Sequence, residues 1–147
     1  MACVYTVETY SDWYRDSTEL VKKHYSEVAV GKYDMCIDHR QFQWMQQNGH
    51  LHVVMVRDEG KLVGYHISVL RRHLHRDVEA AYTDAFYIDP QYRAGRVAYK
   101  MFKFAEDTLR VRGVGQLYSS VKTSKDIGRL LEAQGSKHVE NVYLKEL

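Results

Sequence analysis

Between Tyr82 and Glu106 the sequence reads YTDAFYIDPQYRAGRVAYKMFKFAE, and no other stretch constrains the fold as tightly. Tyr82, Asp84, Phe86 and Ile88 alternate with Thr83, Ala85 and Tyr87, which is the period of a strand. Pro90, the only proline in the chain, stops that strand. Val97, Met101, Phe104, Ala105 and Leu109 then recur at helical spacing and give the next element one core-facing stripe. A turn feeding straight into a helix leaves the first helical N–H groups unpaired at the positive end of the dipole, which is an anion site. Gly95 lets the main chain come close to such an anion, and Arg93 and Arg96 add forked donors. The candidate phosphate loop is therefore Arg93, Ala94, Gly95, Arg96, Val97 and Ala98, whose successive amides can form a nest. The same pattern also describes an ordinary strand-to-helix connection with solvated arginines.

Composition bounds the rest. At 147 residues the chain can bury one real core, so a single domain over 1–147 is expected. No Ser/Gly-rich tract, low-complexity run or repeat marks a linker. Lys and Arg number 21 against 19 Asp and Glu, a net charge of +2, so no case for nucleic-acid binding rests on overall charge and any basic site is local. The opening MACVYTVETY lacks a charged segment followed by a long apolar one, and no apolar run approaches the roughly 20 residues that span a bilayer. A soluble, cytoplasmic protein is the expectation. Cys3 and Cys36 make no metal or redox spacing and are read as free, Cys3 half-buried in the first strand.

Along the chain, Cys3 to Thr9 alternates as a strand, and Ser11 or Asp12 can cap one helix running to about Tyr25. Residues 28–40 read as a loop, and Gln41 to Asn48 as a brief helix ended by Gly49. His50 to Val56 and Leu62 to Leu70 are alternating runs joined by Asp58-Glu59-Gly60-Lys61, which is hairpin chemistry. A basic turn, Arg71 to Asp77, leads into the strand ending at Ile88. After the helix from Val97 to about Arg112 come a strand from Gln116 to Val121, a short helix from Ile127 to Gln134, and a last strand from His138 to Leu144 that closes the sheet.

Asp84, Tyr87, Ile88, Pro90, Tyr92, Arg93, Gly95, Lys103, Phe104, Ala105 and Glu106 carry a resemblance to the GNAT superfamily of acyl-CoA-dependent N-acetyltransferases. The family's Arg/Gln-x-x-Gly-x-Gly/Ala motif places Arg93 first and Ala98 last, with Arg96 in the middle glycine position and Gly95 displaced by one. That departure resembles small, mostly bacteriophage-encoded members, and the likeness continues through Gly113, Val121, Lys122, Asp126, Leu130, Glu132, Gly135, Glu140, Tyr143 and Lys145. It covers the C-terminal half well and the N-terminal half by order of elements. The resemblance implies an α/β (α+β) fold: a single domain with a mixed, mainly antiparallel twisted sheet flanked by helices, in the order β-α-α-β-β-β-α-β-α-β. It also implies acetyl-CoA as cofactor with CoA as product, an amine acceptor, amides at Phe86, Tyr87 and Ile88 that hold the pantetheine arm and acyl carbonyl, and amides from Arg93 to Ala98 on the pyrophosphate. A homodimer is an expectation at family level, and a phage-encoded protein would work in the host cytoplasm.

Acyl transfer to an amine needs a base, because taking the proton from an ammonium of pKa ~10.4 costs about 4–5 kcal/mol at neutral pH. It also needs fixed donors for the developing oxyanion, which a splayed or bulged strand can supply. Asp84 and Glu79 are the acidic residues on the motif strand, and burial among apolar neighbours would raise the Asp84 pKa toward usefulness. Either could instead fix structure by pairing with a neighbouring Arg or His. The family's last-helix tyrosine, a general acid, aligns here with Leu131, so Tyr118, Tyr143 or solvent would take that role. Ser124 falls in the slot of a cofactor-contacting Asn and also suits a helix cap.

The acceptor side is less legible. Arg71, Arg72, His73, His75 and Arg76 make a basic turn that reads first as a solvated hairpin tip, yet could greet an acidic or phosphate-bearing acceptor such as aminoacylated tRNA. His50/His52 and His73/His75 have strand-face spacing, but no Cys or carboxylate completes a set, so no metal is expected. The rival to an N-acetyltransferase is a catalytically weak or inactive binding protein on the same scaffold, acting on a host or partner protein. The missing tyrosine and the displaced glycine are what favour that rival.

Overall fold

The computed structural model describes residues 2–147; Met1, the first residue of the expected domain, lies outside the described residues. Among them five strands form one sheet, in the same order in space as along the chain: β1 (Val4–Glu8), β2 (Leu51–Asp58), β3 (Lys61–Arg72), β4 (Glu79–Ile88) and β5 (Gln116–Tyr118). The first four pair antiparallel and β5 runs parallel to β4. Glu59 and Gly60 take φ of 48° and 82°, the conformation a two-residue turn between twisted strands demands, and they close the β2–β3 hairpin.

Period-two alternation sends successive side chains to opposite helical layers. Val53, Met55, Tyr65, Ile67 and Tyr87 pack under α1 (Tyr10–Asp16), α2 (Thr18–Val28) and α3 (His39–Gln47), meeting Tyr10, Trp13, Leu20 and Phe42. Val54, Val56, Val63 and Ile88 face α4 (Val97–Val111) and α5 (Gly128–Ala133), meeting Val97, Met101, Phe102, Ala105 and Leu131. The result is the α/β single domain with a mixed, mainly antiparallel sheet between helices that the sequence led us to expect. No helix among the described residues is long and apolar enough to cross a membrane. Cys3 is half-buried just ahead of β1, and Cys36 is exposed; both are free.

Three expectations are corrected. The single helix from Ser11 or Asp12 to Tyr25 is two helices, capped by Thr9 in a reciprocal box with Asp12 and broken at Ser17. The buried Ser17 both ends α1 and starts α2, while Arg57 on β2 binds Glu8 at 2.9 Å and Asp16 at 2.7 Å, tying the end of α1 to the sheet. The strand from His138 to Leu144 does not form; Val139, Val142, Tyr143 and Leu144 are 65–89% exposed. Alternation makes a segment competent for a sheet, but only a ladder partner makes it a strand. His50 and His52 do not share a face. His50 precedes β2, stacks on Trp44 and bonds the Leu70 carbonyl, whereas the buried His52 bonds Thr108 Oγ1 on α4 at 2.9 Å.

Candidate active site

Two irregularities in β4 create the site. Its ladder with β5 covers only Ala80–Tyr82 against Gln116–Tyr118, so beyond Tyr82 the two strands part. Its register with β3 slips between Ile67↔Ala85 and Ser68↔Thr83, which leaves Asp84 as the extra residue of a β-bulge. The Asp89 N–H donates to the Val63 carbonyl at 2.8 Å, so Gly64↔Ile88 is a pair without mutual main-chain bonds. Alternation then turns the amides of Phe86 and Ile88 toward the open edge. The Tyr87 amide faces Tyr65 in the ladder, so of the three amides expected to hold the acyl arm the structure presents two.

Past Ile88 the chain makes a 3-10 turn, Pro90–Tyr92, and then the exposed Arg93–Arg96 loop into α4. Gly95 takes φ of 94°, and a Cβ there would meet nothing within 4 Å. Among the described residues no side chain caps α4, and the Lys100 N–H bonds back to the Arg96 carbonyl at 2.9 Å. The loop therefore offers open space, a left-handed glycine and uncapped amides at the start of a long helix, which fits a pyrophosphate. The Arg96 guanidinium lies 4.5 Å from the centre of the Tyr99 ring. Arg93 is committed elsewhere: it donates to the Ile88 carbonyl at 2.9 Å and to both Glu27 oxygens at 3.0 Å, and it lies over the Tyr87 ring. Its guanidinium braces the loop against β4 and α2.

Around Asp84 the fold gathers residues that sequence reasoning missed. Its side chain is exposed, yet partial desolvation by the protein around it pushes its carboxyl pKa up. Tyr65 is close enough to Asp84 to feel its charge; burial first, then Tyr87 and Asp84, raise the Tyr65 pKa. The Tyr65 hydroxyl bonds His24 Nδ1 at 2.6 Å, and burial lowers the pKa of that imidazole to about 4. His24 stacks on Tyr87, whose hydroxyl donates to Glu27 at 2.5 Å; burial and then that bond push the Tyr87 pKa up to about 12. Burial opposes ionisation of Glu27, but its hydrogen bonds from Tyr87 and Arg93 hold its carboxyl below the usual range. No spacing rule reveals this set, because His24 and Glu27 sit on α2, Tyr65 on β3 and Asp84 on β4; only the pairing of β3 with β4 was legible as a signal.

The remaining candidates lie further out. Glu79 begins β4 and is ion-paired with Arg72 at 3.2 Å. Ser124 is exposed in the 3-10 turn Thr123–Lys125, where Lys125 reaches Glu27 at 3.9 Å. Tyr143 is 89% exposed on the unpaired tail, beside the hollow it shares with Tyr118. Leu131, in the slot of the usual acid, is buried in the α4-side core.

The sequence profile of the acetyltransferase (GNAT) family matches residues 8–129. No curated protein sequence matches this one. Solved structures resemble it over nearly the whole chain. A ribosomal-protein-alanine N-acetyltransferase from Brucella melitensis biovar Abortus 2308 superimposes with a TM-score of 0.79 at 16% identity, over 100% of this chain and 99% of that one. A predicted acetyltransferase from Clostridium acetobutylicum, solved with acetyl-CoA, gives 0.74 at 11% over 99% and 96%. Glucosamine-6-phosphate N-acetyltransferase from Arabidopsis thaliana gives 0.73 at 15% over 99% of both chains.

Proposed function

This chain belongs to the acetyltransferase (GNAT) family, and from that membership we propose that it transfers the acetyl group of acetyl-CoA to a primary amine by direct attack in a ternary complex. The structural neighbours named for their substrates act on a ribosomal-protein alanine and on an amino sugar phosphate, so the acceptor class here spans small molecules, protein amines and aminoacyl groups. The motif residues carry the further reading of a phage-type branch acting in the host cytoplasm, and a homodimer follows only from the family at large.

Acetyl-CoA brings an activated thioester. In this reading the amides from Ala94 to Ala98 hold its pyrophosphate, with Gly95 giving the close approach, while the Arg93 N–H of the expected Arg93–Ala98 set is taken by the Pro90 carbonyl at 3.3 Å. The open-edge amides of Phe86 and Ile88 orient the acyl carbonyl and stabilise charge developing on its oxygen. Asp84, whose raised pKa makes it a stronger base than an ordinary carboxylate, takes the acceptor's proton directly or through water. Arg93 positions the loop rather than binding phosphate with its guanidinium. The departing sulfur takes its proton from solvent or from Tyr143, since the Tyr118 hydroxyl donates to Gln116. The single observation that carries this reading is the coincidence of the β4 bulge, the free β4 edge and the uncapped α4 N-terminus along one open seam.

The test is calorimetric binding of acetyl-CoA and desulfo-CoA, followed by an amine screen that reads thiol release. Gly95→Glu is the control: its Cβ meets no atom, and the backbone strain of about 1–3 kcal/mol leaves the fold intact while a carboxylate enters the phosphate site. Wild-type binding lost in the variant is the expected result. No binding at millimolar cofactor would overturn the reading in favour of a scaffold that docks on a partner.

A further inference from the structure

The basic turn after β3 is built into an ordered stack beside the seam. Tyr82 on β4 and Tyr118 on β5 form the last rung of the β4–β5 ladder, their rings 5.0 Å apart and within 7° of parallel. The Arg71 guanidinium lies over the Tyr82 ring at 4.4 Å, and His73 flanks Tyr118 at 6.0 Å. Arg76 Nη1 donates to the Tyr118 hydroxyl at 3.4 Å and lies 3.2 Å from His73 Nε2, on a ring whose Nδ1 accepts the His75 N–H at 3.0 Å. Arg72 points elsewhere and pairs with Asp77 and Glu79. Arg71 and Arg76 are exposed and form no ion pair with any described residue, so two guanidiniums are held in place by aromatic and hydrogen-bonding contacts with their charge uncompensated.

Resting on the acetyl-transfer reading, we infer that Arg71 and Arg76, held by the Tyr82–Tyr118–His73 stack, bind a single phosphate group carried by a small amine acceptor. Guanidinium forks match phosphate oxygens, and a site held by cation–π contacts needs little ordering when the anion arrives. Tyr82 and Asp84 are two residues apart on one strand, about 7 Å along it, so a phosphate at the stack brings an amine on a short carbon skeleton to the candidate base. A nucleic-acid backbone is disfavoured, because it requires a continuous basic track. The hollow of about 1440 Å³ that continues from the stack is mixed in sign instead, with Glu106, Asp126, Glu132 and Glu140 interleaved with Arg110 and Lys137.

The probes are O-phosphoethanolamine and ethanolamine, titrated into the wild-type chain and into Arg71→Gln/Arg76→Gln, with acetyl-CoA affinity measured on both proteins. The phosphorylated amine is expected to bind wild type about tenfold tighter or more, the strength of one charge-assisted hydrogen bond. That preference vanishes in the double variant while acetyl-CoA binding is unchanged. Equal binding of the two amines by wild type, or a preference that survives the substitutions, overturns the inference. Tight capture of an unacylated tRNA with a steep salt dependence, without preference for phosphoethanolamine, does so as well. The two readings fail separately. An arginine-dependent phosphate preference without acetyl-CoA turnover keeps the anion site and removes the transferase, whereas equal turnover of both amines does the reverse.

Discussion

At Asp84 the motif strand gains a residue with no partner on β3, and that extra residue brings a carboxylate within electrostatic reach of Tyr65, whose hydroxyl bonds His24. The alternation of Tyr82 to Ile88 identified Asp84 as polar on an apolar strand, but not as a bulge, because a register slip depends on β3 as much as on β4. If Asp84 is the base, Asp84→Asn lowers turnover about 100-fold with acetyl-CoA affinity intact, and removes the rise in rate as pH climbs through the raised carboxyl pKa. An unchanged pH–rate profile would reject the role. Stability carries the opposite sign. The folded pKa lies above the unfolded one, so the group favours folding at low pH and that contribution is lost as pH rises through the folded value. Thermal unfolding should therefore show Asp84→Asn more stable than wild type at alkaline pH and equal to it in strong acid, where both forms are uncharged; a variant less stable at alkaline pH would contradict the partial desolvation of the carboxylate.

Among the elements, β3 meets β4 at one point where a side chain would crowd the open-edge strand. Gly64 is the contact point: a Cβ there would stand 3.0 Å from the Tyr87 carbonyl oxygen and 3.2 Å from Ile88 Cγ1. Gly64→Ala should cost about 1–3 kcal/mol in urea unfolding and weaken acetyl-CoA binding by displacing Ile88, whereas wild-type values for both would show that the strands give way freely. Elements were legible where local chemistry settles them. The β2–β3 hairpin followed from Glu59-Gly60, the end of β4 from Pro90, and α4 from its apolar stripe. They were illegible where a distant partner decides. The break at Ser17 answers to Arg57 on β2, and His138 to Leu144 alternates like a strand but finds no ladder.

The molecule as a whole places two histidines between the sheet and α4. His52 is 1% exposed with no partner for Nδ1 among the described residues, and its pKa falls to about 4 through burial and then Arg112. His66 is 0% exposed, bonds Ser68 and Thr83 only at 3.4–3.5 Å, and falls to about 3 through burial and then His52. Both are neutral when folded and charge readily when unfolded, so stability is full above the unfolded value near 6.5 and drains away as pH falls toward the folded ones. Urea unfolding near pH 5 should lose about 2–3 kcal/mol per pH unit from this pair, and His52→Gln should roughly halve that slope. A slope indifferent to the substitution would mean that the histidines are not what makes the protein acid-sensitive.

The sequence by itself determined the strand–proline–turn–helix junction, the hairpin and the position of the Arg93–Ala98 turn proposed to hold phosphate. Each depends on rules that act within a few residues: side-chain period, the fixed φ of proline, the freedom of glycine and the unpaired amides that begin a helix. Only the tertiary structure decided what surrounds that loop. Glu27 and Arg93, 66 residues apart, become partners; the amide of Tyr87 turns inward while those of Phe86 and Ile88 turn out; and Arg71 and Arg76 converge on two tyrosines from different strands. Those outcomes follow from register and from which side chain fills the space beside another, and both are set by contacts between segments that no local pattern connects.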